Sequence, residues 1–359
     1  MDRINVTKTF LPPLEDYQRY VEQIWERDQL TNQGPLLIEL QKKLESYLKV
    51  PNLHMVTNGT LALQIAIRAL DMPEGEIITT PFSYVATTSS ILWEHFEPVF
   101  VDIEPNTFCI DAAKIEAAIT PKTRAIMPVH VFGFPCEVEK IDAIAQKHNL
   151  RVIYDAAHAF GVEYKGHSLS SYGDASILSF HATKLFHSIE GGAIITPDQS
   201  LSDKVELMKR FGHNGDEHYM LGMNAKASEF QAAMGLCNLT YMEDIIKKRR
   251  AVTDLYNELL TDKVQKPVVP ADTAYNYAYY AIVMETEAQL LGALQSLENL
   301  NIFPRRYFYP SLNTLPYLRA AQSCPVSEDI SRRIMCLPLY VGLEDEIVRK
   351  VCEVINEQA

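Results

Sequence analysis

A chain of 359 residues, 47% hydrophobic and 22% charged, carries enough apolar material for one large core and a smaller second one, and it sets aside disordered and low-complexity architectures. Its net charge of −13 argues against electrostatic capture of nucleic acid or of an acidic membrane face. No apolar run reaches membrane-spanning length and the N-terminal stretch has no signal-like apolar core, so the expectation is a cytoplasmic protein with neither a membrane nor a nucleic-acid partner.

In chain order, "EDYQRYVEQIWERDQL" and "LLIELQKKLESYL" place apolar residues at helical spacing, separated by the breaker "TNQGP". The chain then alternates. Short β-branched runs, "EIITT", "PVFVDI", "RAIMPVHVF", "RVIYDA", "ASILSF" and "GAIIT", are separated by helical segments such as "AAKIEAAI" and "VEKIDAIAQKHN". That alternation predicts parallel strands with crossover helices, an α/β sheet covered on both faces. From Leu201 the pattern turns mainly helical, with "KASEFQAAMGLCNLTYMEDIIKKRRAVTDLYNELL" as one long candidate. A smaller α+β portion follows, containing "YNYAYYAIVM", a helix near "AQLLGALQSLENL" and a last helix, "EDEIVRKVCEVINEQ". The boundary falls near residue 245, where a helix can bridge the two parts.

The six cysteines include no Cys-x-x-Cys pair, and the ten histidines no His-x-x-x-His pair. Reduced thiols and no metal are therefore expected. Three places do suggest chemistry. Asn58, Gly59 and Thr60 directly precede an amphipathic helix; glycine admits close approach and the free N–H groups of a first turn attract anions such as phosphate. No Gly-x-x-x-x-Gly-Lys or Gly-x-Gly-x-x-Gly loop is present, which disfavours nucleotide hydrolysis and dinucleotide binding. Asp155 ends an apolar strand, where a carboxylate either caps the next turn or pairs with a buried cationic heteroatom. Ser179 and Lys184 follow another strand, and a lysine in an apolar setting can lose its proton and attack carbonyls. Pyridoxal phosphate is the cofactor that uses all three: a lysine for its aldehyde, an acid for its ring nitrogen and a cradle for its phosphate.

These residues resemble the DegT/DnrJ/EryC1/StrS family of sugar aminotransferases nearly end to end. The stretches that carry the resemblance are "LTNQGP", "NGTLALQIAIRAL", "TTPFSYVATTSSI", "PVFVDI", "VIYDAAHAFG", "SFHATKLFHSIEGGAIIT" and "GMNAKASEFQAAMGL". The resemblance implies a fold type I, aspartate aminotransferase-like α/β protein. Residues 1–245 would form a large cofactor-binding domain with a mainly parallel sheet, including the N-terminal helical segment, and residues 246–359 a smaller C-terminal α+β domain. It implies pyridoxal 5'-phosphate as cofactor, cycling through pyridoxamine phosphate, with L-glutamate as donor and a dTDP-linked 4-keto-6-deoxy sugar as acceptor. Amination at C3, a GDP- or UDP-linked sugar, and a non-catalytic regulator that only binds the cofactor are the alternatives. Lys184 would be the lysine that carries the cofactor and Asp155 the partner of its ring nitrogen, with Tyr84 stacked on the ring. Gly59, Thr60 and Ser179 match phosphate contacts, and Asn224 matches a phosphate contact made from a neighbouring subunit, so the implied unit is a homodimer with a shared site. His158 stands where glutamine is commoner as a contact of the ring hydroxyl, and Asn313 stands where histidine is usual. Thr31, His181, Glu190, Lys226 and Tyr309 are candidate substrate contacts.

Overall fold

The computed structural model describes residues 3–359. Seven strands make the main sheet: β1 (Leu53–Val56), β2 (Glu76–Thr79), β3 (Glu97–Phe100), β4 (Thr123–Met127), β5 (Arg151–Asp155), β6 (Ala175–Ser179) and β7 (Gly192–Ile195). They lie in the order β1-β7-β6-β5-β4-β2-β3, and β7 alone runs against its neighbours. The strands are apolar on both faces, and the faces alternate as the pleat requires. Met55, Ile78, Ile126, Val152, Tyr154, Leu178, Ala193 and Ile195 join one core. Their neighbours Val56, Ile77, Ala125, Met127, Ile153, Ile177 and Ile194 join another, beneath the helices Gly59–Ala69 and Gln199–Met208.

A further core is built from Val252, Tyr256, Ile282, Leu290, Leu297, Met335, Val348, Val351 and Ile355. Its frame is an antiparallel pair, Ala281–Val283 with Ile334–Cys336, and the helices Glu287–Asn299 and Asp345–Gln358. The helix Met242–Leu259 connects the two regions, with Ile245 in the first core and Val252 and Tyr256 in the other. The strand Ile4–Asn5 pairs in parallel with Ile302–Phe303, which stitches the start of the chain to this later part.

Several local expectations change. Strand β1 has no counterpart among the runs read from the sequence; the sheet is mainly parallel as expected, with β7 the antiparallel member because it returns beside β6 without a crossover helix. The long helical candidate after Lys226 is two helices, Glu229–Leu239 and Met242–Leu259. Tyr241 sits at φ −103°, ψ 1° between them, and the Thr240 hydroxyl donates to the Cys237 carbonyl at 2.7 Å, closing the first helix without glycine or proline. "AAKIEAAI" holds one α turn, Ala112–Ile115, followed by a 3₁₀ turn. Among the described residues no helix is long and apolar enough to cross a membrane.

Candidate active site

Strands β1, β2, β5 and β6 all end at the same edge of the sheet, the place where parallel sheets present their ligands. Because β7 is reversed, it begins at that edge, with Gly192 opposite both Ser179 and Val56. The loops there open onto a cavity of about 740 Å³, a size suited to a cofactor and a substrate fragment.

One wall is a helix N-terminus. The Asn58 side chain accepts from the Leu61 N–H at 2.9 Å, which caps the helix Gly59–Ala69 and leaves the N–H groups of Gly59 and Thr60 with no acceptor inside the helix. A Cβ on Gly59 would stand 3.0 Å from Ser179 Cβ, and one on Gly192 would stand 2.6 Å from the Asn58 carbonyl carbon. Close packing against backbone therefore demands glycine at 192, and a side chain at 59 would have to push Ser179 aside; the result is a concave cradle of N–H and hydroxyl groups from Gly59, Thr60 and Ser179.

Asp155, at the end of β5, is 4% exposed. The Thr87 hydroxyl donates to its Oδ2 at 2.7 Å and the Ala157 N–H to its Oδ1 at 3.1 Å. Desolvation raises its pKa, while Thr87, Ala157 and nearby Lys184 work in the opposite direction. Lys184 follows β6, and its Nζ lies 3.4 Å from the Tyr279 hydroxyl. Burial pushes the lysine down to about 8, against the stabilising charges of Asp155 and Tyr84. Burial likewise pushes Tyr279 up, so its hydroxyl keeps its proton.

His158 is buried between aromatic rings, stacked on Phe308 with centroids 5.6 Å apart. The Phe132 N–H donates to its Nδ1 at 3.3 Å. An imidazole accepting there carries its proton on Nε2, and desolvation holds it well below its ordinary pKa. His158 is thus a neutral N–H donor. Tyr84 lines the cavity and is 56% exposed as a residue. His181 bonds Thr183 Oγ1 through Nδ1 at 2.7 Å and faces Glu190 at 3.5 Å, both at the rim.

The structure brings together Gly59, Thr60, Tyr84, Asp155, His158, Ser179, His181, Lys184 and Glu190 around one cavity. It does not place Thr31, Asn224, Lys226 or Tyr309 on that cavity's lining. Asn224 is paired to the backbone of Arg210, Lys226 reaches over the Phe211 ring at 4.9 Å, and Tyr309 lies 3.6 Å beneath the Arg306 guanidinium. Asn313 is buried in a network, donating to the Gln322 carbonyl and to Glu328 Oε1, each at 2.7 Å, while its own carbonyl accepts from Ser311. It ties its loop to the helix Pro325–Arg333 and does not reach the cavity. Sequence reasoning missed Thr87, Tyr279, Arg305 and Phe308. Thr87 could have been found three residues after Tyr84, one turn along the same segment; the other three come from distant parts of the chain with no local signal.

The residues fit pyridoxal phosphate on geometric grounds. The cradle accepts a phosphate, the buried carboxylate suits a cationic ring nitrogen, the His158 N–H suits a ring oxygen, and Lys184 is an amine with a lowered pKa.

Comparison with known proteins agrees. A model of the DegT/DnrJ/EryC1/StrS aminotransferase family matches residues 14–356. The chain is 42% identical over 362 residues to a dTDP-4-amino-4,6-dideoxy-D-glucose transaminase of Shigella dysenteriae, covering 99% of this chain and 98% of that protein. It is 33% identical to a GDP-perosamine synthase of Escherichia coli O157:H7, covering 95% and 94%. Among solved structures it superposes on DesI, crystallised with its TDP-sugar product, at a TM-score of 0.94 and 29% identity, covering 99% of this chain and 93% of that one. Helicobacter pylori PseC, an aminotransferase of pseudaminic acid biosynthesis, gives 0.92 at 26%, with 99% of both chains covered.

Proposed function

The chain belongs to the DegT/DnrJ/EryC1/StrS aminotransferase family, whose members work with pyridoxal 5'-phosphate, and on that premise we propose that it moves an amino group from L-glutamate to C4 of dTDP-4-dehydro-6-deoxy-D-glucose. The product would be dTDP-4-amino-4,6-dideoxy-D-glucose, a building block for surface polysaccharide such as O-antigen. The observation that carries the reading is the meeting of Asp155, Lys184 and the Gly59–Thr60–Ser179 cradle in one cavity. The choice of sugar leans on the 42% identical relative, which spans the whole chain.

When bound, pyridoxal phosphate supplies a carbonyl that takes up the amino group and a ring that accepts the electrons of a deprotonated carbon. Gly59, Thr60 and Ser179 would hold its phosphate. Asp155 would pair with the ring nitrogen and keep it protonated, with Thr87 and Ala157 keeping that carboxylate aimed. His158 Nε2 would donate to the ring oxygen, and Tyr84 would supply the stacking platform. Lys184 Nζ, with a pKa of about 8, is a free base often enough near neutrality to take the donor's Cα proton and hand it on. Phe308, Tyr307 and Tyr279 form the wall that keeps water from that transfer.

Asn224 lies off this chain's own cavity, and Trp25, Trp93 and Leu221 present large exposed apolar surface. Both support a homodimer in which Asn224 serves the other subunit's site. The separate core spanning Val252 to Ile355 supports a division at residues 245 and 246. A cytoplasmic location follows from the substrates proposed.

The test is to supply L-glutamate and the keto-sugar nucleotide to the cofactor-loaded protein and locate the new amine by NMR. An amine at C4 of the dTDP sugar is expected. Amination at C3, turnover only of a GDP- or UDP-linked sugar, or cofactor binding without turnover would each replace this reading.

A further inference from the structure

Arg305 and Arg306 are consecutive, yet their side chains have opposite fates. Arg305 exchanges both backbone hydrogen bonds with Cys336, at 3.1 and 2.8 Å, and the chain turns directly after it, the Tyr307 N–H donating to the Arg305 carbonyl at 2.9 Å; Arg305 and Tyr307 line the cavity and Arg306 does not. Arg306 is committed elsewhere: its guanidinium is 2.7 Å from Glu287, donates to the Arg332 carbonyl at 2.8 Å and covers the Tyr309 ring. Arg305 has no carboxylate partner among the described residues. It rests 5.1 Å from the centroid of the Tyr307 ring and lines the cavity. Tyr307 in turn packs edge-on to Tyr279, centroids 6.0 Å apart, and Tyr279 is the hydrogen-bond partner of Lys184. A file of two tyrosines therefore leads from the reactive amine to an unneutralised guanidinium. That wall comes from the C-terminal part of the chain, whereas the phosphate cradle comes from the main sheet.

We propose that Arg305 is the docking group for a carboxylate of the amino donor. This rests on the aminotransferase reading. An amino-acid donor must enter a cavity that already contains the carboxylates of Asp155 and Glu190, and it brings at least one of its own. The cavity's other basic groups are committed: Lys184 does the chemistry, His158 is neutral with Nδ1 occupied, and His181 faces Glu190. Among the described residues of this chain that line the cavity, Arg305 is the remaining cation. Its planar fork matches a carboxylate with two parallel hydrogen bonds. The Tyr307 ring holds it in place without neutralising it. The nucleotide's pyrophosphate has the same anionic chemistry, so the experiment must separate the two.

The cofactor-loaded wild type, R305Q and R305K are titrated calorimetrically with α-methyl-L-glutamate, which lacks the Cα proton and cannot turn over, and separately with dTDP. Loss of charge-assisted hydrogen bonds is expected to weaken α-methyl-glutamate binding by about 10- to 100-fold in R305Q. R305K should fall between the two, dTDP affinity should stay within about twofold, and KM for glutamate should rise more than kcat falls. Weakened dTDP with unchanged donor binding would assign the guanidinium to the pyrophosphate and overturn the proposal. Unchanged affinity for both ligands would also overturn it. If R305Q loses its cofactor, the R305K titration decides alone. A wild-type protein that binds the cofactor but transfers no amine would instead defeat the reading of function, whatever Arg305 does.

Discussion

Replacing Lys184 by methionine should stabilise the cofactor-free protein near neutral pH, although it must abolish transamination. Methionine keeps the length of the side chain and removes the charge. Burial lowers the lysine from 10.5 to about 8, which corresponds to about 3 kcal/mol of penalty for holding the ammonium in the folded state. The sign follows from proton binding. Below pH 8 both states are protonated and the folded one carries the full penalty. Between about 8 and 10.5 the unfolded chain binds the proton and the folded one does not, so wild-type stability rises with pH; above 10.5 the penalty is gone. The value of about 8 already includes the attraction of Asp155, so the expected advantage of K184M at pH 7 is about 3 kcal/mol, shrinking to near zero by pH 10.5. Denaturant unfolding of both proteins, stripped of cofactor, across that range measures it. A K184M protein less stable than wild type at pH 7, or an advantage that does not fall with pH, would refute the picture of a desolvated lysine. The same displacement fixes a kinetic expectation: the rate at which stripped wild-type protein takes up pyridoxal phosphate, followed by visible absorbance, should rise with a midpoint near pH 8 rather than 10.5.

Other expectations follow from the same geometry. T87V removes the hydroxyl that donates to Asp155 at 2.7 Å, and at about 1.5–3 kcal/mol for a hydrogen bond to a charged group it should weaken cofactor retention on dialysis by at least about tenfold; unchanged retention would detach Thr87 from the site. G59A puts a methyl 3.0 Å from Ser179 Cβ and should impair cofactor affinity measured by fluorescence quenching, with partial recovery in G59A/S179G, where the clash is relieved. E229Q alters a buried carboxylate that accepts from the N–H groups of Leu36 and Leu37 at 3.0 and 2.9 Å, at the start of the helix Pro35–Leu48; a loss of about 1–2 kcal/mol of stability is expected in urea unfolding, and a change below about 0.3 kcal/mol would mean that the cap contributes nothing.

What could be read from the sequence depended on how local the signal was. Asp155 and Lys184 stand at the ends of apolar runs, so strand pattern and side-chain chemistry pointed to them together. Gly59 was legible as a helix start; the close approach of Ser179 from another strand, which crowds any side chain there, was not. Strand β1 is no shorter than β2, β3 or β7, but its "LHMV" holds a single β-branched residue beside a polar histidine, so no β-branched run marks it; the direction of β7 depends on a loop that carries no signal of its own. The division of the helical stretch at Thr240 and Tyr241 has no glycine or proline to announce it. Arg305 is one of two adjacent arginines, and nothing local tells which of the pair lines the cavity; its place there depends on a tertiary arrangement that includes pairing with Cys336, about thirty residues away.

The pairing of Ile4–Asn5 with Ile302–Phe303 has a bearing on biosynthesis. A ribosome makes the first of these strands early and must add roughly 300 residues before its partner exists, at about 5–20 residues per second. The main sheet, complete once β7 has emerged, can assemble on the growing chain in the meantime. The second core cannot close until its helix Asp345–Gln358 has been made, long after β7. Tyr279, Arg305 and Tyr307 arrive only with that last portion, so a nascent chain can already hold the phosphate cradle, Asp155 and Lys184 while the wall that shields and selects is still to come.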